Sequence, residues 1–184
     1  MVRQPLLHEQ LVALAAPTQA WSGTDGQIRA GLRNLHGVFH ADIRVLSEAV
    51  LTIAGAEPEV IATANPRVGT VKVVALAREL DGPGADPATR VDTDRTLTPG
   101  RMREHLTVST SAAGGVAAEV RVRLGADLFA MDRVKAGESG DPVVPTRTRT
   151  GLEWGDDERG IGVRVRAPEA GIDLDEPAAP TLVW

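Results

Sequence analysis

The sequence predicts an all-β fold, an antiparallel β-sandwich with one or two short helical turns. Apolar residues recur with period two in several separate runs, the period with which side chains alternate across a strand. Gly (19) and Pro (12) are plentiful and scattered between those runs, as many short elements require. No long stretch carries the 3.6-residue period of a helix, and strands at regular spacing with frequent turns indicate packed sheets.

In chain order, residues 6–15 fit either a short helical turn or a first strand. Asp25-Gly26 marks a turn. Val50, Thr52 and Ile53 stop ahead of Gly55, which suits another. Val71, Val73, Ala75 and Ala77 make one apolar face. Val74 and Leu76 make the opposite face partly apolar, so this strand is expected to be covered on both sides. Residues 81–89, with Asp81-Gly82 as a turn signal, read as an exposed loop. Residues 103–110 put Leu106 and Val108 on one face. The strongest run follows Gly114-Gly115, where Val116, Ala118, Val120, Val122 and Leu124 alternate with Ala117, Glu119, Arg121 and Arg123. The two runs are expected to pair as a hairpin through the glycine pair. Residues 127–132 read as one helical turn and 137–145 as a loop. Ile161, Val163 and Val165 form a further strand face. Residues 180–184 resume an apolar strand pattern and expect a partner surface.

The 184 residues are read as a single domain, 1–184, without an internal boundary. Apolar residues at 42% and charged residues at 24% are globular proportions. With 20 basic and 25 acidic side chains the net charge is −5, which offers no basic field to nucleic acid. The absence of cysteine excludes disulfides, a thiol nucleophile and cysteine-bound zinc. No apolar run approaches the ~20 residues that span a bilayer, and no signal peptide is read, so no membrane partner and a cytoplasmic location are expected. There is no Tyr, and two Phe and three Trp leave few rings for a sugar platform. The excess of Arg over Lys (18 to 2) reads as compositional bias.

The densest polar cluster is His36 to Arg44. His36 and His40 would share a face of a helix, but Gly37 and Val38 disfavour that helix. On a strand they lie too far apart for one ion, and a metal needs three or more protein ligands. The favoured reading is a loop or strand edge where Asp42 and Arg44 pair with backbone or with each other. Carboxylates cluster at Asp92/Asp94, Asp156 to Glu158 and Asp173 to Glu176. Such runs are commonly solvated faces, although glycoside hydrolysis does use two carboxyls. No serine-nucleophile elbow and no phosphate loop occurs, so no cofactor is expected. Arg121, Arg123, Arg164 and Arg166 read as a solvated sheet face. Trp154, beside Gly155-Asp156, could stack on a sugar from a turn or fold back on the core.

Taken together, these blocks carry a resemblance. They are Leu11 to Pro17, then Ser22-Gly23-Thr24-Asp25-Gly26-Gln27-Ile28, then Gly37-Val38-Phe39-His40-Ala41-Asp42-Ile43-Arg44-Val45-Leu46-Ser47. Their order resembles the N-terminal domain of bacterial glycogen debranching enzymes of the amylo-α-1,6-glucosidase type. That family shows a Gly-Leu-Phe-x-x-Asp-Thr-Arg-x-Leu-Ser stretch after a Ser-x-x-Asp-Gly turn. Arg103 to Val108 and Val120 to Val134 resemble later family blocks. Ile43 departs from the family's Thr, Ala41 from a common basic residue and Val45 from a common aromatic. Asp42 and Arg44 are retained.

The resemblance implies a supersandwich-like β-sandwich that is not itself catalytic. In the family a following (α/α)6 barrel carries the acid and base carboxylates of this glycoside hydrolase, and no such helical pattern is found here. The expected role is to pack on that catalytic domain, as partner within the same polypeptide, and to shape the entrance for α-glucan. His40, Asp42, Arg44 and Trp154 are the candidate interdomain or glucan contacts. The alternatives are a stand-alone α-glucan-binding module and a β-sandwich assembly protein whose sheet edges pair between copies.

Overall fold

The computed structural model of the chain describes residues 9–31, 34–81 and 86–184. Strands take up 54% and helix 5%. In chain order come β1 (Gln10–Ala15), β2 (Thr18–Gly23), β3 (Ile28–Arg29), β4 (Gly37–His40), β5 (Ile43–Leu46) and β6 (Glu48–Ile53). Next are β7 (Glu59–Ala64), β8 (Thr70–Leu76), β9 (Thr89–Thr98), β10 (Arg101–Thr110) and β11 (Val120–Gly125). Then follow β12 (Phe129–Ala130), the short helix α1 (Met131–Lys135), β13 (Thr146–Thr148), β14 (Gly151–Asp156), β15 (Ile161–Arg166), β16 (Gly171–Asp173) and β17 (Thr181–Val183).

The strands pair antiparallel in four sheets, ordered β1-β2-β4-β5-β12, β10-β9-β8-β7, β16-β17-β11-β6-β3 and β13-β14-β15. The chain is therefore all-β and antiparallel, but not the two-layer sandwich expected from the sequence. The four sheets make a four-bladed, propeller-like arrangement. Two sheets are meanders of sequence neighbours, β7 to β10 and β13 to β15. Period-two alternation tells each strand which face to bury, but not how many layers its sheet will face. One core serves all four sheets. It takes Ala13 and Ala20 from the first, Val71, Val73 and Leu97 from the second, Ile28, Ala49, Leu124 and Leu182 from the third, and Leu152 and Trp154 from the fourth. A smaller cluster sets Leu35 and Phe39 against Met131 and Val134 of α1.

Several local expectations hold. Val71, Val73, Ala75 and Ala77 are buried, and the opposite face of β8 is half-buried. β15 alternates half-buried Ile161, Val163 and Val165 with exposed neighbours. Residues 10–15 are strand; residues 6–8 and 82–85 lie outside the described part. The helical turn expected at 127–132 begins later, at Met131. The hairpin through Gly114-Gly115 does not form. β10 pairs with β9 across Pro99-Gly100, while β11 lies between β6 and β17. Val116 and Ala118 precede β11 instead of belonging to it. The apolar residues of 181–183 find their partners within the chain, because β17 lies between β11 and β16 and Leu182 is buried.

Candidate functional site

The block from Gly37 to Leu46 folds as a tight hairpin. β4 and β5 are joined by Ala41 and Asp42 alone, both left-handed (φ 45° and 64°). Positive φ at both central residues is the type I′ pattern, usually Asn-Gly, and an ordinary residue there costs roughly 1–2 kcal/mol. Tertiary bonds hold the turn: Ala41 N–H donates to the Pro17 carbonyl (3.1 Å), and Met131 N–H donates to the Asp42 carbonyl (2.8 Å). His40 Nδ1 lies 2.9 Å from Thr18 Oγ1, which accepts Gly100 N–H at 2.7 Å. His40 is half-buried and Asp42 is exposed at the tip.

Arg44 does not pair with Asp42. It points inward, 1% exposed, and its guanidinium forms a double bond-pair with the Asp127 carboxylate, which is 6% exposed. Its Nη1 also donates to the His36 carbonyl (3.4 Å). Gly37 is what lets this arginine in, since a Cβ there would stand 2.5 Å from Arg44 Cδ and 3.0 Å from the Leu46 carbonyl oxygen. Arg44 and Asp127 belong to two of the blocks that resemble the debranching family, and they meet although 83 residues apart. A charge pair this deep is favourable only while both members are present. Its role is to lock the hairpin to the β11–β12 connection.

His36 and His40 are engaged separately. His36 is buried, and its Nδ1 accepts Arg29 N–H at 3.3 Å. Burial holds its pKa below 6.5, against the opposing pull of Asp25. Among the described residues no group of three His, Asp or Glu could hold a metal. Trp154 is not on a turn but in β14, opposite Val163, and is wholly buried in the shared core. Its indole offers no face to a sugar.

In each carboxylate cluster at least one acid is paired with arginine or lysine. The Arg90 guanidinium hydrogen-bonded to Asp92 holds that carboxyl below its usual range, and Lys72 Nζ lies 3.4 Å from both Asp92 and Asp94. A carboxyl kept ionised in this way is a poor general acid. Asp156 faces Arg159, and Asp173 faces Arg121. The arginines expected as one row divide between two sheets, with Arg121 and Arg123 on β11 and Arg164 on β15, each paired to an acid. A cleft of about 240 Å³ opens between residues 147–151 and 167–172. It is lined by Arg147, Arg149 and Thr148, with Glu169 as its one acid. A single carboxyl cannot supply the acid and base pair that glycosidic hydrolysis uses.

Sequence comparison bears on these features. Residues 14–184 match the family described as the N-terminal domain of some glycogen debranching enzymes. No curated protein and no solved structure matches the chain. Among the described residues no helix is long and apolar enough to cross a membrane.

Proposed function

Because the chain belongs to the family of N-terminal domains of some glycogen debranching enzymes, we propose that it is a non-catalytic accessory domain in the hydrolysis of α-1,6 branches of glycogen. In this reading it packs on a following catalytic domain and shapes the entrance for α-glucan, in the cytoplasm. The observation that carries the reading is the match over residues 14–184. The buried Arg44–Asp127 pair supports it, because the family-like blocks meet there to hold the fold and are closed to substrate. His40 and Asp42, at the tip of the hairpin, are the residues assigned to the interdomain contact. Trp154, without exposed surface, is left out of it.

The test is an assay of the purified chain on a phosphorylase limit dextrin. No glucose is expected from the chain alone, and release of glucose would overturn the non-catalytic reading. Migration in a native gel cast with glycogen is expected to match that in a plain gel. Retardation would instead favour the stand-alone glucan-binding module.

A further inference from the structure

The second sheet has two edges, and they are built differently. At β7 the ladder shifts register between Val60 and Ala62. Such a bulge twists an edge away from partners. At β10 the ladder with β9 runs unbroken from Arg101↔Thr98 to Thr110↔Thr89. That makes β10 a regular ten-residue edge, about 33 Å long. Among the described residues its only strand partner is β9, and its outward backbone groups receive no hydrogen bond from elsewhere in that part of the chain. Seven of its ten residues are exposed, Val108 among them. A long, flat, unpaired strand is a template for another strand.

We propose that β10 pairs antiparallel with β10 of a second copy about a two-fold axis at Leu106. The charge pattern and the length of strand engaged select this occupant and this register, since an axis at Thr107 or Val108 also avoids opposed like charges but pairs fewer residues of β10. Arg101, Arg103, Glu104 and His105 fill the first half, and Leu106-Thr107-Val108-Ser109-Thr110 carries no charge. Directly opposed residues share a face of the sheet, so the axis falls on a residue. On Leu106 it sets Arg103 against Ser109, His105 against Thr107 and Glu104 against Val108, and no like charges oppose. Moved to Glu104, it would set that carboxylate against itself and Arg103 against His105. A parallel partner copy in register would run the arginines side by side. The interface is isologous and closes as a dimer, leaving β7 and its bulge outside.

Light scattering on the eluting chain is expected to show a mass rising toward twice 19.4 kDa with concentration. Thr107 is exposed and outside the core. Ser109→Arg places a guanidinium opposite Arg103 of each partner and is expected to weaken self-association roughly tenfold. Thr107→Val keeps the dimer. Ser109→Glu, opposite Arg103, tightens it, and added salt removes that gain. A monomer at every concentration, or a dimer that Ser109→Arg leaves intact, overturns the proposal. Either result leaves the accessory-domain reading untouched, because that reading does not use β10.

Discussion

At the scale of single residues, the Arg44–Asp127 pair decides most. Asp127→Ala leaves a guanidinium buried without its counter-charge, which is expected to cost about 3–5 kcal/mol in urea denaturation. Replacing both partners by apolar residues, Arg44→Met with Asp127→Leu, is expected to recover much of that loss. His36 gives the chain an acid sensitivity. Burial lowers its folded-state pKa below 6.5, Asp25 opposes this, and the nearby charges of Arg29 and Arg95 add to it. The unfolded chain therefore binds the proton more readily, and stability falls as pH drops below 6.5. His36→Gln is expected to flatten the decline of stability between about pH 7 and 5 relative to the parent chain. Burial raises the pKa of Glu48, and that effect has the opposite sign nearer the carboxylate range. The pair itself was not legible in the sequence. Asp42 stood two residues from Arg44 and drew the assignment, while Asp127 reaches it only through tertiary folding. Gly155-Asp156 looks like a turn although the Leu152, Trp154 spacing is already that of a strand, and of the two readings of Trp154 the structure bears out the one folded on the core.

At the scale of elements, each strand's inner face could be read and its partner could not. Burial at Val71 to Ala77 and at Ile161 to Val165 follows from local alternation. Any alternating strand can pair with any other, so the choice of partner rests with the turns. Pro99-Gly100 is as good a turn signal as Gly114-Gly115, and it is the one the structure uses. The β4–β5 turn is where sequence and geometry disagree most, since neither Ala41 nor Asp42 is the residue its backbone favours. The double change Ala41→Asn, Asp42→Gly is expected to raise stability by roughly 1 kcal/mol, read as a higher denaturation midpoint. A chain stabilised in this way yet weakened in binding a catalytic domain would mark the turn as kept for contact rather than for folding.

At the scale of the whole molecule, the shared core ties the four sheets together. Leu152 and Trp154 of the last meander belong to the same buried cluster as side chains from β1, β2, β8 and β11. Unfolding is therefore expected to be a single transition. Tryptophan fluorescence, dominated on burial by Trp154, and far-ultraviolet circular dichroism should give the same midpoint in urea. Two separated midpoints would show that the meander β13 to β15 melts on its own. That all the sheets are antiparallel was legible from hydrophobic alternation and turn density. Their number was not, because layering depends on twist and on contacts far apart along the chain.

The third sheet has a further consequence, for synthesis. It gathers strands from residues 28–29, 48–53, 120–125, 171–173 and 181–183. As the chain leaves the ribosome, β11 has emerged about 58 residues before β17. At ordinary elongation rates one side of β11 waits roughly 3–12 s for its neighbour. For that interval Val120 to Gly125 is a bare edge on a nascent chain, and a holding chaperone would find its substrate there.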